Sequence, residues 1–408
     1  METIVFIGSN KSGTSRDALR VSEELGYFTV LITDREKFVL QREEFHEVHQ
    51  MIYVADLLNK EHIYNEIKKL ETSGKVIKGC MSLIDPFVHF AATLSKELGL
   101  VELSTDAIFL MEDKTRFRKV MKNHPATPLF DIFKPNEGPI EEWVNDYHSN
   151  FPLIIKSPVS NGSKDVMLVE TKEKLKQGMN KLCSLYPHSP ILIEEYVLGP
   201  QYLVEVVVYK SNIHIVGVIE QEITNLHRFI VTGYSYPALL SVEDYLKLEK
   251  VVNSILCSLG LTHGSCHLEI RFVKGEWKLI EINPRISGGA MNRIIYEGSG
   301  IDLVKETVNL NLGEEPSFQR QYEQYVYVKY LTVNSPGKLI KVTGRGRASK
   351  YEGVKDVYVK PRKGSILVPP LSMGDRYAYV LAAADSPEKA KDIATNGAKE
   401  IRFYLEPI

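Results

Sequence analysis

The feature that most restricts the fold is a pair of apolar-rich runs, 266–272 (CHLEIRF) and 277–283 (WKLIEIN), with Gly275 between them. Their spacing predicts a β-hairpin. With the turn centred on Gly275, Glu269 lies opposite Glu281, and Asn283 points to the same face. With a two-residue Lys274–Gly275 loop, the period of two sends the glutamates to opposite faces. Facing carboxylates repel unless a cation lies between them. Hard oxygen ligands select Mg²⁺, which keeps waters and accepts phosphate oxygens. The alternative is a solvated hairpin whose carboxylates never meet. Arg285 and the turn 287–289 (SGG) follow at once. Arg285 sets a fixed charge suited to phosphate oxygens beside that set, although a surface ion pair is the ordinary fate of an arginine.

The chain before the hairpin changes character twice. Residues 4–8 (IVFIG), a helical stretch to Gly26 and 28–32 (FTVLI) read as a βαβ unit with a parallel sheet. Strands at 51–54 and 76–84 and a helix from Phe87 to Leu98 extend it into an open α/β region. The stretch GSNKSGT at 8–14 breaks both the P-loop and the dinucleotide pattern, so a plain strand-to-helix turn is expected. Residues 106–124 read as one helix, and Pro125 and Pro128 end it. The segment from about 126 to 197 reads as a compact α+β unit. Long strands at 202–209 and 213–220 and a helix over 243–259 then lead to the hairpin. After about 313 the chain turns to short strands and turns.

At 408 residues, two or three domains are expected. Lys plus Arg is 50 against 52 for Asp plus Glu, so nothing drives non-specific binding to nucleic acid. No apolar run is long enough to span a membrane, and no basic region precedes the short apolar run at the start. The four cysteines are scattered, without zinc spacing, which suits a reducing compartment and burial in apolar surroundings. A cytoplasmic location is expected.

Other candidates are weak singly. Lys156 ends an apolar strand, and Ser160, Asn161, Gly162, Ser163 and Lys164 could wrap phosphates with backbone N–H groups. Lys114, in MEDKTRF, reads alone as a solvated helix charge. ILIEEYV at 191–197 could seat an adenine ring, or be a core strand with Glu194 and Glu195 at a surface edge. The loop SLIDPF at 82–87 lies where open α/β sheets place ligands. Asp85 there could cap the next helix. If the loop faces the site, Ser82 and Asp85 lie near substrate, and Pro86 limits side-chain size.

Taken in order, Lys114, Lys156 with its small-residue loop, ILIEEYV, GPQYLVEVVV, HLEIRF and LIEINPRISGG resemble the ATP-grasp superfamily over nearly the whole chain. Within it the chain looks most like the bacterial L-amino acid ligases, on length and on the run GGAMNRIIYEGSGIDL from Gly288. The resemblance implies an ATP-grasp fold of mixed α/β and α+β character. It would comprise an N-terminal open parallel α/β domain at 1–112, a small lid domain at 113–198 and a large C-terminal α+β domain at 199–408 with its β-rich extension. It implies ATP with Mg²⁺, or Mn²⁺ in its place. Lys114, Lys156 and the loop from Ser160 to Lys164 would hold phosphates. Glu194, Glu195, Tyr196 and Val197 would read adenine, and Gln201 stands where many relatives carry an acid near the ribose. Glu269, Glu281 and Asn283 would hold metal, and Arg285 the transferring phosphoryl group. Gly288, Gly289 and Asn292, with the 82–86 loop, would meet amino-acid substrates, and a homodimer fits the resemblance. The implied activity joins two unprotected L-amino acids through an acyl phosphate. A purine-pathway ligase remains a rival through Arg345 and Arg347 in TGRGRAS. A non-catalytic ATP-binding protein is a second rival, against which the set Glu269, Glu281, Asn283 and Arg285 argues, and a dinucleotide-dependent oxidoreductase is disfavoured by the broken glycine pattern at Gly8.

Overall fold

The computed structural model describes residues 1–148, 150–158, 165–224 and 229–408. The first sheet is parallel, its four strands in the order Gln50–Tyr53, Phe28–Thr33, Glu2–Ile7 and Val76–Met81. Both faces are covered, which is why its strands are continuous apolar runs. Val5 and Ile7 pack with Ile63 and Ile67 of helix Lys60–Thr72 and Leu94 of helix Val88–Glu97. Ile4 and Phe6 pack with Ala18 and Leu19 of helix Thr14–Glu24. The chain order reverses between Glu2–Ile7 and Val76–Met81. The loops leaving the carboxyl ends of those two strands, 8–13 and 82–87, therefore flank one crevice.

A second sheet is antiparallel, in the order Phe130–Phe133, Ile191–Glu195, Leu153–Lys156, Val166–Val169. Helices Ile140–Asn145 and Lys172–Leu185 cover it through Val144, Leu175, Met179 and Leu182. The largest sheet has eight strands, in the order Glu276–Asn283, Gly264–Val273, Gln201–Tyr209, Asn212–Thr224, Ile230–Tyr236, Tyr325–Leu331, Ala378–Ala384, Val354–Val359. Strand Gln201–Tyr209 is buried along its whole length. Helix Val242–Leu259 packs under the hairpin end of the sheet. Its start is capped by Ser241, whose Oγ accepts from Asp244 N at 3.1 Å, and left-handed Gly260 closes it. A small sheet of Ile366–Leu367, Gly337–Thr343 and Arg402–Glu406 stands beside it.

Several expectations are corrected. The single helix over 106–124 is two, Thr105–Met111 and Lys114–Val120. Asp113 is extended and its Oδ1 accepts from Thr115 N at 2.7 Å and Arg116 N at 3.1 Å, so a fresh N-cap restarts the helix. Lys114 is thereby buried in the first turn of a new helix rather than solvated. The strand read as 76–84 stops at Met81, and strand Ile230–Tyr236 has no counterpart in the sequence reading. Of the four cysteines, Cys80 and Cys266 are buried, Cys183 is half-buried and Cys257 exposed, the last two on outer helix faces. Among the described residues no helix is long and apolar enough to cross a membrane.

The hairpin combines both registers considered from sequence. Its turn is the two-residue Lys274–Gly275 loop, with φ of 50° and 86°. Val273 pairs with Glu276 and Ile270 with Leu279, a register that by itself would separate the glutamates. A β-bulge at Ile280 shifts the ladder by one residue, and Glu269 pairs with Glu281. The carbonyl of this extra residue accepts from Arg118 Nη2 at 3.0 Å and from Lys156 Nζ at 3.4 Å.

Helix Met291–Ser299 crosses the sheet with Gly298 against the ring of Tyr236, where a Cβ would sit 2.4 Å from Tyr236 Cδ1. Gly298→Ala is expected to lower stability by about 1–3 kcal/mol, as overpacking does, read by urea denaturation.

Candidate active site

Alternation along three neighbouring strands builds a polar patch row by row. Gln201 lies across from Arg271, Leu203 from Glu269 and then Glu281, and Glu205 from His267 and then Asn283. All sit on the three strands at one end of the sheet, among neighbours that are mostly valine, leucine and isoleucine. Buried charges in such a place need partners.

Glu269 and Glu281 are adjacent across the ladder, and their electrostatics diverge. Burial and the Glu281 charge push the Glu269 carboxyl above its ordinary range. Burial also opposes ionisation of Glu281, but Lys114 and Lys156 overcome it and hold its carboxyl low. Lys114 Nζ lies 3.3 Å from Glu281 Oε1. Asn283 Nδ2 donates to Glu281 Oε1 at 3.2 Å and to His267 Nε2 at 3.2 Å. His267 Nδ1 donates to the Arg285 carbonyl at 2.7 Å, and burial, with the Arg285 charge, lowers its pKa to about 4. The imidazole is thus neutral and fixes its neighbours. Among the described residues no group of three or more His, Cys, Asp or Glu could hold a metal by itself. Two mutually repelling carboxylates and an amide fit a hard divalent cation that takes its other ligands from water and phosphate, as Mg²⁺ does.

Lys156 and Glu194 are both buried at a 2.5 Å ion pair, and Arg118 closes the group from the other side through its Nε. Glu194 is therefore no surface-edge acid. Burial raises its pKa, but Arg118 and Lys156 outweigh that and leave it lowered. A cleft runs from this group along Pro128, Ile154, Val166 and Ile280 to Glu195, Tyr196 and Val197, and ends at Glu269 and Glu281. Glu195 Oε1 accepts from Leu129 N at 3.0 Å. The Val197 carbonyl accepts from Arg271 Nη1. Gln201 is not directed to a lone polar partner. Its Oε1 accepts from Arg271 Nε at 2.9 Å while its Nε2 donates to Glu269 Oε2 at 3.1 Å and Gln221 Oε1 at 2.7 Å. An acid at this position would face Glu269 with like charge, so the amide suits the spot. Ser160, Asn161, Gly162, Ser163 and Lys164 lie outside the described residues.

A cavity of about 430 Å³ adjoins the cleft at Gln201, Phe229, Glu269 and Glu281. Its far wall comes from the first sheet's loops, Asn10 to Ser15 and Leu83 to Asp85. Arg285 reaches that wall: Nε donates to Asp85 Oδ1 at 3.2 Å and Nη2 to Asp85 Oδ2. Asp85 is thus a partner of Arg285 and does not cap helix Val88–Glu97, which has no side-chain cap from its N-cap residue. Ser82 is buried with its Oγ near the Ile84 backbone and borders a separate small cavity, while Pro86 is exposed and does not line the cavity of about 430 Å³. Gly288 and Gly289 do line it. Their loop is held from two sides. Ser287 N and Oγ donate to buried Glu205, and Thr14 Oγ1 donates to Ser287 O at 2.7 Å. Burial raises the Glu205 pKa to about 7 against those Ser287 hydrogen bonds. Asn292 Nδ2 donates to Thr14 Oγ1 at 2.7 Å, and Asn292 borders a different cavity with Asp17, Asp302 and Asp356.

Sequence reasoning missed Arg118, Glu205, His267, Arg271 and Phe229. A signal existed for two of them: His267 and Arg271 flank the predicted Glu269 at every second position of an otherwise apolar strand. Arg118 gave none, since burial of one cation in KTRFRKV cannot be read from composition.

A family model for the ATP-grasp domain matches residues 149–293, and one for the L-amino acid ligase C-terminal domain 2 matches 329–406. Nineteen per cent sequence identity and a TM-score of 0.85 relate the chain to the crystal structure of an L-amino acid ligase from Bacillus licheniformis, over 100% of this chain and 99% of that one. Dapdiamide A synthase of Enterobacter agglomerans is 21% identical, over 99% of this chain and 97% of its own. The uncharacterized protein y4rH of Sinorhizobium fredii is 27% identical over 260 residues, 63% of this chain and 54% of that protein. The chain thus spans about half the length of that relative. The chain has the ATP-grasp fold, and residues 149–293 match the ATP-grasp domain. Residues 329–406 match the L-amino acid ligase C-terminal domain 2.

Proposed function

We propose that the protein joins two unprotected L-amino acids, using ATP to activate one carboxylate as an aminoacyl phosphate and releasing ADP and phosphate. The observation that carries this is the meeting of two spaces at one pair of acids. The cleft that ends at Glu269 and Glu281 offers apolar walls suited to a base and the Lys156 cation suited to phosphate, and the cavity on their other side, of about 430 Å³ with Arg285 at its wall, has room for amino acids. In this reading adenine lies against Ile154, Val166 and Ile280, beside Glu194, Glu195 and Tyr196, with the Val197 N–H open to its edge. Lys114 and Lys156 hold phosphate oxygens, as does the loop from Ser160 to Lys164. Glu269, Glu281 and Asn283 would hold Mg²⁺, which when bound offsets charge on the phosphates. Arg285, oriented by the Asp85 carboxylate, contacts the phosphoryl group as it passes to the substrate carboxylate. The second amino acid's neutral amine then attacks the activated carbonyl, and phosphate leaves with the oxygen. The chain's part is positioning and electrostatic stabilisation, and exclusion of water from the acyl phosphate. Units at 1–112, 113–198 and 199–408 belong to the same reading.

The ribonucleotide rival loses its main support. Arg345 and Arg347 are exposed on a short helix, and Arg347 Nε pairs with Glu400 at 2.7 Å, away from both spaces.

Incubation with ATP, Mg²⁺ and pairs of L-amino acids, beside ribonucleotide substrates, is expected to release phosphate and ADP in step with dipeptide, resolved by chromatography. AMP rising in step with product would overturn the acyl-phosphate route. Release that needs a ribonucleotide would overturn the substrate class.

A further inference from the structure

Most cations at the junction are matched by an acid: Arg285 by Asp85, Lys114 by Glu281, Lys156 by Glu194. Arg376, from the C-terminal domain, is not. It lines the cavity of about 430 Å³ together with Met373. Its Nε donates to Met373 O at 3.2 Å, and its Nη1 donates to Val231 O and to the Tyr234 hydroxyl, each at 3.2 Å. All of these partners are neutral, and among the described residues Nη2 makes no hydrogen bond. The acid next to it in sequence, Asp375, is committed to its own turn, accepting from Leu371 N at 2.9 Å and Ser372 N at 2.8 Å.

The guanidinium is nonetheless rigidly placed. It lies 3.9 Å from the Tyr330 ring centroid and 5.7 Å from that of Tyr234. The Tyr330 hydroxyl is fixed in turn by the Ala290 backbone, beside Gly289 of the cavity wall. Asp85, Glu269 and Glu281 also line this cavity, but Arg376 forms an ion pair with none of them, so its preorganised, permanently charged fork is a site for an anion. The other free cation lining the same cavity among the described residues, Arg35, is exposed and donates to Asn10 Oδ1 at 3.1 Å, so water screens it.

Resting on the ligase reading, two carboxylates enter this cavity. The one to be phosphorylated must lie by Arg285 and the acid pair. The other belongs to the amino acid that gives its amine, and it keeps its charge from binding to product release. We propose that Arg376 binds this second α-carboxylate and thereby makes free amino acids, rather than their amides, the preferred amine donors. The C-terminal domain is then part of the substrate site and not only a cover on the sheet.

The test compares glycine, L-alanine and L-phenylalanine with their carboxamides as amine donors, each beside a carboxyl donor that supports dipeptide formation in the wild type. Wild-type kcat/KM is expected to be at least about tenfold higher for the acids, the scale of one charge-assisted contact. In Arg376→Gln the acids should fall to the level of the amides, with the amides changed by less than about twofold and Arg376→Lys restoring part of the preference. Equal losses for acids and amides, with their ratio kept, would show a merely structural clamp and overturn the inference. So would a wild type that does not distinguish the two, a result that needs no variant to fold. Absence of ADP with every pair of free amino acids would instead overturn the ligase reading, and this inference with it.

Discussion

Glu281→Gln is expected to lower turnover at least about a hundredfold, the scale of losing one transition-state electrostatic contact, with the protein still folded. Glu281 is the acid that Lys114 and Lys156 hold in its ionised form against burial. The glutamine keeps its shape and can still accept from Asn283, but it cannot bring charge to a cation. Folding should survive because the substitution removes one of two repelling groups and lets Glu269 ionise more easily. Arg285→Met should cost as much. It leaves Asp85 without its guanidinium, yet the Asp85 side chain is 16% exposed and water can reach it. Steady-state rates, with circular dichroism as a check on folding, decide both. Near-normal turnover in either variant would mean that phosphoryl transfer takes place elsewhere in the molecule.

The pairing on which this rests was legible in part. Alternation in CHLEIRF and WKLIEIN gave the strands, and the choice of registers could be stated from the turn alone. What could not be read was the bulge at Ile280, because a bulge is set by what the extra residue meets. Here its carbonyl meets Arg118 and Lys156, which come from a helix and a strand far away in the chain. The same holds for Asp85. A carboxylate before a helix reads locally as a cap, and only the docking of the first sheet against Arg285 reveals a different partner. The parallel sheet was plain since burial on both faces leaves continuous apolar runs. The break at Glu112–Asp113 was not, since MEDKTRF suits a helix throughout except for the capping aspartate. Pro86 shows the limit of placing a residue by its loop alone: its neighbours Ile84 and Asp85 face the cavity and it does not.

Glu194→Gln should be the most destabilising of these changes, by about 3–5 kcal/mol at pH 7, the cost of removing one partner from a buried ion pair. Arg118 is fully buried and Lys156 nearly so, and Glu194 is the carboxylate between them. A glutamine leaves two like charges facing each other in a dry place. Arg118 cannot shed its proton, so the lysine must. The pH dependence has a definite sign. The folded-state pKa of Glu194 lies below its ordinary 4.5, because the two cations outweigh burial. Its contribution is therefore present above 4.5 and is lost as pH falls through the depressed folded value, so the wild-type advantage over the variant should shrink in acid. Nucleotide should narrow the gap from the other side. In the proposed complex Lys156 turns to phosphate oxygens, and an anion then replaces the charge the variant lacks, so ATP should stabilise Glu194→Gln more than the wild type. Urea denaturation at several pH values, with and without ATP and Mg²⁺, reads all three effects. A loss below about 1 kcal/mol would mean that the three side chains contribute no more than an exposed ion pair.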